Sequence, residues 1–146
     1  MPTKIGVIGL EEIDKVLSQL IPKHARNLSK SVIHGLASET VREAKIHVPT
    51  DKGTLKKAIK AKRRRGKPNK PASDVIVEHG NSVKNDAFYW HMVEYGTGGK
   101  NPQPERPFLR PAKDLIQSNM AKILDEQFTK KLASLIKREQ KKARKL

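Results

Sequence analysis

No cysteine occurs in the 146 residues, which excludes a disulfide framework and a thiolate metal site and fits a reducing cytoplasm. Aromatic side chains are scarce as well, with one Trp, two Tyr and three Phe. The large core anchors are therefore few, and their placement matters. No stretch approaches the roughly 18 apolar residues that cross a bilayer, so no membrane partner is expected. The opening MPTKIGVIGLEEI lacks a long apolar core and meets Glu11 and Glu12 at once, unlike a signal peptide. Negative charge is also short, with 15 Asp and Glu against 31 Lys and Arg, a formal net charge of +16.

Catalytic patterns are missing too. The histidines at 24, 34, 47, 79 and 91 form no i, i+4 pair with one another and no carboxylate cluster accompanies them, so metal-site spacing is absent. Thr97-Gly98-Gly99-Lys100 lacks the Gly-x4-Gly-Lys-Ser/Thr order of a phosphate loop. Neither an enzyme nor a cofactor is expected.

The positive charge that is present is regional. Residues 52–70 carry ten basic and no acidic side chains, residues 129–146 carry eight basic and one acidic, and the rest of the chain is close to neutral. Such runs suit a polyanion bound through counterion release, or else a solvated face and a frayed tail.

Taken in order, Thr3 to Ile8 alternates weakly and predicts a short edge strand, and Leu10, Ile13, Val16, Leu17 and Leu20 predict a short helix up to Pro22. Ala25, Leu28, Val32, Leu36, Ala37, Val41 and Ala44 continue at helical spacing to His47, and Pro49 stops them. Thr50 to Thr54 reads as a turn in which Gly53 supplies a backbone angle other residues resist. Asp74 to His79 is a β-branched strand, so the basic run falls partly on a strand and partly on a hairpin loop holding Gly66, Pro68, Asn69 and Pro71. A helical turn at Asp86–Tyr89 is expected to merge into a strand at Trp90–Tyr95. From Pro107 or Pro111, the stripe Leu109, Ala112, Ile116, Met120, Ile123, Leu124, Phe128, Leu132 and Ile136 predicts one long helix whose basic end, KREQKKARKL, frays. Helices, a small antiparallel sheet and a long C-terminal helix packed on that sheet make an α+β chain.

Phe88 to Ala112 concentrates the bulk: the only Trp, both Tyr, two of three Phe and four of nine Pro. Phe108 and Leu109 read as core anchors that fix where the long helix meets the sheet. Glu94 reads as an acceptor for the Gly-Thr-Gly-Gly turn, a partner for a cation across a subunit boundary, or a solvated carboxylate. Arg106 and Arg110 read as interface contacts.

Glu94-Tyr95-Gly96-Thr97, followed after a loop by Pro107-Phe108-Leu109-Arg110-Pro111-Ala112, resembles the signature of small neck proteins of long-tailed double-stranded-DNA bacteriophages. These are the head-tail joining, tail completion and minor tail proteins of lambdoid type. Upstream, Pro49 to Leu55 with Gly53, then Ala58 and Ile59, is similar to that family's segment between helices and sheet. The basic 62–70 segment and the basic tail depart from the family pattern.

The resemblance implies a single α+β neck domain over 1–128, with 129–146 a basic helix end. It implies a homo-oligomeric ring, a hexamer by tail symmetry, that joins or completes the tail at the head-tail interface. The partners are then further copies of the chain and neighbouring neck and tail-tube proteins. The location is the virion, with host cytoplasm during assembly. Lys62, Arg63, Arg64, Arg65, Lys67 and Lys70 would meet packaged DNA without base recognition, or an acidic protein surface. The competing reading is a free-standing, sequence-independent nucleic-acid-binding protein, although no reading module such as a helix-turn-helix is recognisable.

Overall fold

The computed structural model describes residues 22–49, 53–65 and 70–145. The strand expected at Thr3–Ile8, the helix expected from Leu10, and the hairpin residues 66–69 lie outside these. The order is α1 (Pro22–His47), α2 (Thr54–Ala58), β1 (Ile59–Arg63), β2 (Ser73–Val77), α3 (Trp90–Tyr95), α4 (Leu109–Ser118) and α5 (Met120–Arg144). The class is α+β, as the sequence predicts, with a two-stranded antiparallel sheet. No helix among the described residues is long and apolar enough to cross a membrane.

These elements form two compact units, and α1 contributes to both. Pro22 opens α1 at a position where the missing N–H costs nothing.

One unit is described over residues 37–49, 53–63 and 73–118. Its core gathers Val41, Ala44 and Val48 with Leu55 and Ala58 of α2, Ile59 and Val77 of the sheet, and Ala87, Phe108 and Ala112. Gly53 precedes α2 with φ 70°, the left-handed value the sequence calls for at the turn. The sheet register pairs Ile59 with Val77, Ala61 with Val75 and Arg63 with Ser73. Side chains alternate between faces along a strand, so Ile59, Ala61, Val75 and Val77 meet the core together. The opposite face carries Lys60 and Lys62, and Lys60 Nζ lies 2.8 Å from Glu78 Oε2. Past β1 the pairing continues for one bond, from Arg64 N to Ala72 O at 3.0 Å.

The other unit is described over residues 22–36, 64–65, 70–72 and 119–145. Leu28 and Val32 of α1 pack with Phe128 of α5, flanked by Leu124 and Leu132. Gly35 of α1 leaves the space that the Gln127 side chain occupies.

Three expectations are corrected. Trp90–Tyr95 is helical, not extended. Trp90, Val93 and Glu94 are the covered residues there, at i, i+3 and i+4, and that spacing belongs to a helix. The single long C-terminal helix is two, separated at Asn119. Ser118 returns its hydroxyl to the Asp114 carbonyl, a back-bond that bends helices, and Asn119 has φ −109° and ψ 17° as the residue before α5. Asparagine favours such cap positions. The break shifts the buried stripe, so that Leu135 is covered while Met120 and Ile136 are exposed. Thirdly, α5 does not end at the basic run but continues to Arg144. Its last turn holds Lys141, Lys142 and Arg144, where the helix dipole favours cations, and Lys142 Nζ also meets Glu139 Oε1 at 3.1 Å.

Candidate functional site

The Phe88–Ala112 segment is fastened at its centre by Glu94, the one fully buried charged residue among those described, at 0 % exposure. α3 ends one residue later and the chain does not reach α4 until Leu109, yet the Glu94 carboxylate spans that gap. Oε2 accepts from Phe108 N at 2.8 Å and Leu109 N at 2.9 Å, and Oε1 accepts from Arg110 N at 3.0 Å. A helix leaves its first four N–H positions without partners inside the helix. At the start of α4 these are residues 108 to 111, of which the first three donate to Glu94 and the fourth, Pro111, has no N–H. Every donor of that turn is accounted for.

Arg110 completes the fastening. Its Nε donates to Glu94 Oε1 at 3.1 Å, and its terminal nitrogen donates to the Glu94 carbonyl at 2.6 Å and to Glu105 Oε2 at 3.0 Å. The guanidinium also stands 5.0 Å from the centre of the Tyr95 ring, within cation–π range. Burial pushes the Glu94 carboxyl up, but the N–H groups of Leu109, Phe108 and Arg110 and the Arg110 side chain outweigh it, and the net pKa is lowered. The hydrogen bonds that Arg110 donates to Glu105 and Glu94 raise its own pKa.

Gly96 and Thr97 close the loop that follows. Thr97 N donates to Gln103 O at 3.0 Å, Gln103 N returns to Thr97 Oγ1 at 2.9 Å, and Arg106 N reaches Val93 O at 2.8 Å. Gly96 has φ 73° and ψ −179°, a combination almost confined to glycine. A Cβ there would stand 2.8 Å from Gln103 O and 2.9 Å from Glu105 N. Gly96→Ala is therefore expected to destabilise this unit by about 3 kcal/mol, combining backbone strain with overpacking. Urea unfolding followed by the fluorescence of Trp90, the only tryptophan, measures this.

Of the sequence-predicted residues, Glu94, Tyr95, Gly96, Thr97, Phe108, Leu109 and Pro111 are brought together here. Pro107 is half-buried just before the anchor Phe108, which is at 0 % exposure. Gly53 and Leu55 line a groove of about 240 Å³ in the same unit, with Tyr89, Met92, Val93 and Pro104. Glu94 takes its bonds from a helix start and not from the glycine turn, and the solvated alternative is excluded by its burial. Arg110 is engaged within its own chain. Lys62 and Arg63 are exposed on β1, and Arg64, Arg65 and Lys70 are exposed beyond the sheet. Lys67 lies outside the described residues. Missed by the sequence reading were Gln103 and Glu105, and an exposed apolar stripe of Phe88, Met92 and Tyr95. The signal for that stripe was its i, i+4, i+7 spacing. No group of His, Asp and Glu able to hold a metal occurs among the described residues.

No curated protein and no solved structure gives a significant match to the chain. A family model described as "Bacteriophage HK97-gp10, putative tail-component" matches residues 11–96, more than half of the sequence. The match ends at Gly96, where the Glu94-fastened loop begins. With α1, α2, α3, both strands and the Glu94-Tyr95-Gly96 corner inside the matched span, the chain belongs to the HK97-gp10-like family of bacteriophage tail components.

Proposed function

We propose that the protein is a structural component of the virion neck, forming a ring of identical subunits, six by tail symmetry, that joins or completes the tail at the head-tail interface. Family membership supports a structural tail role. The observation that carries the ring is the apolar stripe of Phe88, Met92 and Tyr95, exposed by 65, 55 and 61 %. A chain with six aromatic residues leaves two of them largely uncovered, Phe88 in the turn before α3 and Tyr95 at its last position. Exposed apolar surface of that kind marks an interface. Met92 also lines the groove that holds Pro49, Leu55, Val93, Pro104 and Arg106, so the exposed residues and the groove meet at a border that a neighbouring copy would cover. Repeated head-to-tail contacts of this sort close into a ring when the rotation per subunit permits. In such a ring the exposed cations Lys62, Arg63, Arg64 and Arg65 would face the DNA channel or an acidic neighbour.

Light scattering on the purified chain and on Phe88→Asp/Met92→Asp tests this. The wild type is expected to assemble to a closed oligomer, and the variant to stay monomeric with unchanged circular dichroism. Assembly of the variant like the wild type, or a wild type that is monomeric at every concentration and missing from the neck of imaged particles, would overturn the reading.

A further inference from the structure

The two basic runs are far apart in sequence, but the unit built on α5 contains parts of both. Its described residues include Arg64, Arg65 and Lys70 beyond the sheet, Lys23, Arg26 and Lys30 of α1, and nine more Lys and Arg from Lys122 to Lys145. Against these fifteen cations stand three carboxylates, Asp125, Glu126 and Glu139. Glu139 is already occupied, by Lys142 Nζ at 3.1 Å and His24 Nδ1 at 3.8 Å. The described part of the other unit has twelve cations and eight carboxylates. Charge is thus segregated by unit, which the sequence order does not reveal.

Within the basic unit, α1 and α5 enclose a groove of about 370 Å³. Its floor is Leu28 and Leu135, both buried. Asn27 and Ser31 line it from α1, and Lys131, Ser134 and Arg138 from α5. Lys131 and Arg138 are seven residues apart, two helical turns, and so share a face. Among the described residues neither has a carboxylate within ion-pair distance, and no carboxylate lines the groove. Ser134 donates its hydroxyl to Lys130 O, which leaves an amide, one hydroxyl, an ammonium and a guanidinium as donors. Such a set suits a phosphate oxygen, with the guanidinium able to bind two oxygens at once.

We infer that this groove is a seat for the phosphate backbone of duplex DNA, bound without regard to sequence. The lining carries no aromatic residue on which a base could stack, which favours duplex backbone over unpaired bases. The basic surroundings supply long-range attraction, and the groove fixes where a phosphate rests.

Fluorescence anisotropy with short labelled duplexes of two unrelated sequences, titrated across NaCl concentrations, tests this on the full chain. Lys131→Ala/Arg138→Ala is expected to weaken binding to both duplexes about tenfold, and to reduce the slope of log K against log salt by about two. Lys131→Arg/Arg138→Lys keeps the charge and should keep the slope. Lys56→Ala/Lys57→Ala removes two exposed cations from α2 and should leave the slope unchanged. Equal loss in that control, an unaltered slope in the groove variant, or a loss seen with polyglutamate but not with DNA would overturn the inference, as would absence of wild-type binding at low salt. Subunit assembly is scored separately by light scattering, so either reading can fail alone.

Discussion

Glu94→Ala is expected to lower unfolding stability by about 4–5 kcal/mol, the largest effect of any single substitution in this unit. The alanine removes a charged acceptor from three backbone donors, at least one of them, Phe108 N, in a buried bond. A hydrogen bond to a charged group contributes about 1.5–3 kcal/mol, and a buried donor left without a partner costs about 1–3 kcal/mol. The bonds are cooperative parts of one fastening, so the total falls below their sum. Glu94→Gln keeps one oxygen but turns an NH2 group toward N–H donors, and about 3 kcal/mol is expected there. The same carboxylate makes stability pH-dependent. Its pKa is lowered in the folded chain below the ordinary value of 4.5, so its contribution is complete above that value and is lost as pH falls through the lower, folded pKa. Urea midpoints measured by Trp90 fluorescence should fall more steeply with acid in the wild type than in Glu94→Gln, and the two curves should converge. Parallel curves would refute the assignment.

Phe108→Ala is expected to cost about 4 kcal/mol. The ring is wholly buried in a core otherwise made of Val, Ala, Leu and Ile, and truncating a buried Phe typically costs about 3–5 kcal/mol through lost transfer energy and the cavity left behind. Phe108 is also the residue whose N–H begins the α4 start. Phe108→Leu refills much of the volume and keeps the backbone donor, so a loss of about 1.5 kcal/mol separates the packing contribution from the hydrogen bond. A midpoint in Phe108→Ala indistinguishable from wild type would mean that the anchor lies elsewhere.

What the sequence made legible, and what it hid, follows from the kind of signal each element gives. α1 shows its period because its buried positions are apolar, from Leu28 to Ala44, and its ends are marked by Pro22 and Pro49. β2 shows itself through Val75, Ile76 and Val77. α3 is hidden because one of its covered positions is a carboxylate. Counting Glu94 as polar erases the i, i+4 match to Trp90 and leaves an apparent alternation. The division at Asn119 is masked by Met120 and Ile123, which prolong the apolar stripe across a residue pair, Ser118-Asn119, that favours a cap. The Glu94 clamp joins positions 14 to 16 residues apart, beyond the reach of any periodicity. Even so, the clustering of aromatics and prolines in Phe88–Ala112 located it. Convergence of the basic segments is purely tertiary, since no local pattern tells which distant helices share a unit.

The complete pairing at the start of α4 has one more consequence. In a chain this cationic, an exposed helix start would ordinarily be an attractive landing place for a stray phosphate or an acidic peptide. Here an internal carboxylate has taken that role and a proline has removed the last vacancy, so α4 acts as a rivet and not as a receptor. A polyanion that approaches the start of α4 is met by side chains alone.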